Sequence, residues 1–177
     1  EGLLFVGGFA HPPNADAVLW FAREVFPKIR AELPEVKFYV VGSKVTEEIK
    51  ALAQPDNGIV IKGFVSEEEL ARLYATCKMV VVPLRYGAGV KGKVVEAIYN
   101  GAPIVTTATG AEGIPFVDQV LKIADGAENF AAATVSLYRD NTRCRQLCHR
   151  TQDYIKKNFS MDGAWKVIDE EYAGAPL

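Results

Sequence analysis

Met79-Val80-Val81-Val82-Pro83-Leu84-Arg85-Tyr86-Gly87-Ala88-Gly89-Val90-Lys91-Gly92-Lys93 decides the fold class. Its first four residues are apolar without alternation, the pattern of a strand buried on both faces. Pro83 has no N–H to extend a ladder and stops that strand. Glycines follow, and a helix-forming run, Lys93 to Tyr99, begins at once and is closed by Asn100 and Gly101. Buried strand, glycine loop and helix in that order form one unit of a parallel sheet, in which ligands sit beyond the carboxyl ends of the strands.

The same unit repeats on both sides. Leu3 to Val6, Lys37 to Val41, Ile59 to Lys62 and Pro103 to Thr106 read as further strands, with a short sixth at Val120 to Ala124. Between the first two, Pro12, Pro13 and the capping candidate Asn14 open a helix that buries Ala17, Val18, Phe21, Val25 and Ile29. A short helix is expected from Thr46 to Ala53. Ser66 followed by Glu69 reads as a capping box for a helix carrying Leu70, Leu73 and Tyr74. From Ala127 the pattern is helical with breaks at Asp140 to Asn141 and at Ser160, which predicts a terminal helix over 160–173. The expectation is one α/β domain over 1–177, a doubly wound parallel sheet, Rossmann-like, in three α/β/α layers.

Composition excludes several partners. A formal net charge of −2, with Lys and Arg scattered, leaves no electrostatic footprint for nucleic acid. No apolar run approaches the roughly 20 residues of a membrane span. Leu3 to Val6 is too short for the apolar region of a signal peptide and is expected to be a core strand. Three cysteines, Cys77, Cys144 and Cys148, are read as free thiols in a reducing, cytoplasmic compartment. Only Cys144 and Cys148 share a helical face and a fourth ligand is missing nearby, so no metal site is expected.

Three loops carry the candidate chemistry. After the first strand, Gly7 and Gly8 allow close backbone approach and His11 precedes a helix; a plain tight turn with a solvated histidine reads equally well. After the fourth, Gly87, Gly89 and Gly92 free amides to face an anion while Arg85, Lys91 and Lys93 add positive charge, as a diphosphate would need. A basic surface loop is the other reading. Glu96, one turn into the following helix, has the chemistry to grip a vicinal diol, or is an ordinary exposed glutamate. The fifth loop, Thr107 to Pro115, adds hydroxyls, glycines and Glu112.

These residues in order resemble a known family. Phe5-Val6-Gly7-Gly8-Phe9, Gly63-Phe64-Val65-Ser66 with Glu69-Leu70 and Leu73-Tyr74, Val82-Pro83-Leu84, Val95-Glu96-Ala97 and Gly101-Ala102-Pro103-Ile104-Val105-Thr106 are similar to the C-terminal half of family 4 retaining glycosyltransferases of the GT-B fold. The resemblance implies a domain that binds a nucleotide-diphosphate sugar, with a separate N-terminal acceptor-binding domain that this chain lacks. By position, Glu96 would hold the donor ribose. Gly89, Val90, Lys91 and Gly92 would offer amides to the diphosphate, Lys93 would add charge, and the turn with Phe64 and Val65 would lie against the base. Glu96 and Lys93 are the only candidates for a catalytic role, and no general base is named.

The resemblance further implies hexosyl transfer with retained configuration in polysaccharide synthesis, no tightly bound cofactor, and possible peripheral membrane contact of the full-length protein. Two features depart from the family pattern. Ala88 stands where its first acid belongs, and its Arg and Lys pair near the first loop is absent. A non-catalytic nucleotide-binding module, supported by Ala88, and an epimerase-like half using Glu112 and His11 are the alternatives. A dehydrogenase is disfavoured because the first turn lacks GxGxxG, and a P-loop enzyme because Val94 follows Gly92-Lys93.

Overall fold

The computed structural model describes residues 2–115 and 117–158. The helix expected over 160–173 lies outside the described residues. Six strands, β1 (Gly2–Val6), β2 (Lys37–Val41), β3 (Ile59–Gly63), β4 (Met79–Val82), β5 (Ile104–Thr106) and β6 (Lys122–Ile123), form one sheet in the order β3-β2-β1-β4-β5-β6. Every pairing is parallel. All four residues of β4 are buried, as a central strand of an unbroken apolar run should be.

From β1 the chain winds outward through β2 and β3, and from β4 it winds the other way. Right-handed crossovers therefore place the β1–β2 and β4–β5 helices on opposite faces. The doubly wound α/β/α architecture is as expected. The first crossover is α1 (Pro12–Trp20), a π-helical turn (Phe21–Val25) and α2 (Phe26–Glu32). Pro27 explains the π turn: it cannot donate to the carbonyl four residues back and its ring would crowd that group, so the ladder widens just before it. The face predicted for this segment is buried throughout, from Ala17 to Ile29. Phe21 packs against Phe38 of β2 with ring centroids 4.6 Å apart and against Phe130 of α7 (Ala127–Arg139) at 5.8 Å.

Three local expectations are corrected. Asn14 does not cap the helix: α1 starts at Pro12 with His11 in the capping position, because a proline at the first helical position gives up only an N–H that would be unpaired anyway. The sixth strand has two paired residues, while Val120 and Leu121 are buried as core. The fifth loop contains a short helix, α6 (Ala108–Ala111), capped by Thr107, whose hydroxyl accepts from the Gly110 N–H at 3.1 Å.

The helix expected from Thr46 to Ala53 is the shorter α3 (Glu47–Lys50), and the crossover between the halves carries α4 (Glu67–Thr76). Ser66 Oγ accepts from the Glu69 N–H at 3.3 Å, whereas the Glu69 carboxylate turns to Lys62 and Arg72, so the cap is one-sided. Ser66→Ala should cost about 1 kcal/mol, read as a lower urea midpoint with an unchanged slope.

Gly42 at the end of β2 shapes the mouth of the sheet. A Cβ there would lie 1.9 Å from the Gly7 carbonyl oxygen, so only glycine lets the first loop fold over β2. Among the described residues no helix is long and apolar enough to cross a membrane.

Candidate functional site

The strand order reverses between β1 and β4, and the loops that follow these two strands meet there. From the β1 side comes Asn14, 5% exposed, whose Nδ2 donates to the Gly8 carbonyl at 2.7 Å. From the β4 side comes Lys93, in the first turn of α5 (Gly92–Tyr99), whose ammonium donates to Asn14 Oδ1 and sits 4.7 Å from the centre of the Phe5 ring. Gly7 makes room for both: a Cβ there would stand 2.7 Å from Lys93 Nζ and 2.9 Å from Asn14 Nδ2. Burial lowers the Lys93 pKa from 10.5 to about 8. A cavity of about 170 Å³ opens over this pair, bordered by His11, Pro13, Tyr86 and Val90. His11 is exposed at its rim, and Gly8 is exposed but not part of its lining.

The β4 loop holds its shape by spending two of its cations. Arg85 forms a two-pronged ion pair with Asp16 of α1 and lies 5.7 Å over the Trp20 ring. Lys91 folds back on its own loop, donating to the Gly87 and Gly89 carbonyls and to Glu112. Of the three cations that the sequence places on this loop, Lys91 and Lys93 line the cavity, Lys91 while tied to its own loop and to Glu112, and Arg85 is turned away onto Asp16. Among the described residues, the amides of Gly89, Val90, Lys91, Gly92 and Lys93 donate to no protein acceptor. Gly89 has φ +73°, and a Cβ at Gly89 or Gly92 would meet nothing within 4 Å. A row of unpaired amides at a helix start beside a half-buried ammonium is chemistry for an anion.

Glu96 stands one turn further along α5, half-buried, and borders a second groove with Gly92, Val95, Tyr99 and Ile155. Gly92 is common to both cavities. Tyr74 of α4 approaches Glu96 from the other side. Among the described residues its buried hydroxyl has no partner of good hydrogen-bond geometry, and burial, then the nearby Glu96 carboxylate, push its pKa well above the usual phenol value. Phe64, 83% exposed just past β3, presents its ring to solvent, with Val65 half-buried beside it.

A sequence profile of the glycosyl transferases group 1 family matches residues 1–140. The chain belongs to this family. A Klebsiella pneumoniae relative, an uncharacterized 44.6 kDa protein in the cps region, is 27% identical over 175 residues, covering 96% of this chain and 45% of that protein. Among solved structures, the pneumococcal O-GlcNAc transferase GtfA, crystallised with UDP and GlcNAc, aligns with a TM-score of 0.67 and 21% identity over 98% of this chain and 36% of its own. Anabaena Alr3699/HepE, crystallised with UDP and glucose, aligns at 0.72 and 14% over 98% of this chain and 48% of its own. This chain of the glycosyl transferases group 1 therefore has the fold of GT-B glycosyltransferase domains and spans about half, or less, of each of these relatives.

Sequence reasoning missed two residues at this crevice. Asn14 was read as a cap, though its buried amide joins both loops. Tyr74 was read as a core residue of α4, with no local signal that its hydroxyl would face Glu96. The Thr107 hydroxyl donates to the Leu84 carbonyl and ties the end of β5 to the start of the β4 loop. The cysteines are free thiols, and the described residues hold no cluster of metal-ligating side chains.

Proposed function

We propose that this chain is the donor-binding half of a family 4 retaining glycosyltransferase, taking a nucleotide-diphosphate sugar whose diphosphate lies across Gly92. The observation that carries the reading is the set of five unpaired amides, Gly89 to Lys93, beside a half-buried ammonium at the strand-order switch point. Gly92 bridges the two cavities, so a donor crossing it places its phosphates and sugar over Lys93 and its ribose toward Glu96. Phe64 would cover the base. UDP in the pneumococcal and Anabaena neighbours makes uridine nucleotides the first to try.

The chemistry is stabilisation of the leaving group. As the bond to the sugar breaks, negative charge grows on the diphosphate, and amides already oriented by the loop meet it without reorganising. Below about pH 8 Lys93 contributes a charge that no carboxylate cancels, because its nearest partner, Asn14, is neutral. The acceptor site would come from an N-terminal domain in a longer protein, cytoplasmic and in peripheral contact with a membrane, and the isolated chain would bind donor without turnover. No resident cofactor is required by this scheme.

Calorimetry with UDP, GDP, ADP and TDP sugars tests the assignment, and absence of binding by all of them would overturn it. Glu96→Ala should lose about 1.5–3 kcal/mol of affinity with the fold unchanged, the cost of removing a charged acceptor from a hydroxyl pair. A regulatory module is the second reading, favoured by Ala88, which leaves the cavity without an acid to touch a sugar. That reading predicts equal affinity for a nucleoside diphosphate and its sugar.

A further inference from the structure

We propose that Asn14 is a positioning residue of the donor site, its buried amide fastening the β1 loop to Lys93 so that the ammonium is held at the crevice without being neutralised. The inference rests on the donor-binding reading above and adds to it a residue and a reason for its side-chain type. Asn14 links the two halves of the crevice: Nδ2 is committed to the Gly8 carbonyl, which fixes the amide's orientation and leaves Oδ1 facing Lys93. Gly7, with no side chain, admits both groups.

The amide matters because the other common choices fail physically. Aspartate has the same shape but would form an ion pair with Lys93, cancel the charge that a diphosphate needs and repel the phosphates. An apolar residue would leave the ammonium against Phe5 with no acceptor, and a buried cation without a partner gives up its proton. Asparagine supplies an acceptor without charge for Lys93 and, on the same short amide, the donor that the Gly8 carbonyl holds.

Other ionisable groups nearby leave this arrangement intact. His11 and Tyr86 border the same cavity, Lys91 is tied to Glu112, Asp16 is tied to Arg85, and Glu96 lies on the next turn of α5 facing Tyr74. Burial accounts for the lowered Lys93 pKa.

The test follows the Lys93 side chain by NMR, as its εCH₂ shift against pH, in wild type, Asn14→Asp and Asn14→Leu, alongside UDP-glucose affinity from pH 7 to 9.5. The two variants should move the Lys93 midpoint in opposite directions, Asp upward to roughly 9 or higher and Leu downward. In wild type, affinity should fall as pH passes about 8, where Lys93 loses its proton. In Asn14→Leu the fall should come earlier; in Asn14→Asp affinity at pH 7 should be about tenfold or more weaker, because the carboxylate opposes the phosphates. Equal midpoints in all three proteins would overturn the proposal even where nucleotide binds. Should no nucleotide bind while the midpoints still diverge, the donor reading falls and the hold of Asn14 on Lys93 stands.

Discussion

Lys93→Met weakens nucleotide-sugar binding at pH 7 by roughly 100-fold or more, the expected result of removing one member of a desolvated charge pair, which costs about 2–5 kcal/mol. The size follows from burial. Solvent weakens an exposed lysine's attraction to phosphate, but Lys93 sits among Phe5, Gly7 and Asn14, where the field is less screened. Stability should respond in the other sense. The folded protein lowers the Lys93 pKa from 10.5 to about 8, so charging this lysine costs folding energy. That cost is fully present below pH 8 and is relieved as pH rises toward 10.5, so stability attributable to Lys93 rises across that window. The methionine variant lacks this rise and keeps the packing of the stem, so its thermal midpoint at pH 7 should match or exceed that of wild type. Calorimetric binding and a pH series of thermal scans check both halves. A variant that binds normally would remove Lys93 from the donor site.

The contrast between Lys93 and its neighbours marks where sequence reasoning stops. Strands β2 and β4 were legible to the residue, Lys37–Val41 and Met79–Val82, because apolar runs cut by Gly42 and Pro83 have only one way to sit in a sheet. The loops to inspect followed from the rule that ligands lie beyond the carboxyl ends of parallel strands, whereas the strand order, and with it the switch point between β1 and β4, is visible only in the structure. Charge was legible only as composition. Arg85, Lys91 and Lys93 look alike along the chain, yet Asp16, 69 residues away, takes the first and Glu112, 21 away, takes the second. Asn14 shows the same limit from the other side. Its local signal favoured a cap, but paired prolines moved the helix start to Pro12, and its partner Lys93 is 79 residues distant. Pairings of that range are set by topology, which a window along the chain does not contain.

Gly92→Ala separates function from fold more sharply than any charge change. Gly92 lies in helical backbone, and a Cβ added to it meets nothing within 4 Å, so the protein has no packing or conformational need for glycine there. Alanine at a helix start should raise stability by up to about 0.5–1 kcal/mol, since the unfolded chain loses freedom that glycine would keep. For a bound diphosphate the same methyl is an obstacle, because it stands on the surface where phosphate oxygens must come within hydrogen-bond distance of the amides around residues 89–93. Displacing the phosphates from two such amides forfeits charge-assisted bonds of about 1.5–3 kcal/mol each, a loss of affinity on the order of 100-fold or more. The expected pair of results is a thermal midpoint equal to or above wild type and binding near the limit of detection by calorimetry. If Gly92→Ala binds nucleotide sugars as wild type does, the anion does not lie over the start of α5, and the amides of this loop serve some other ligand or none.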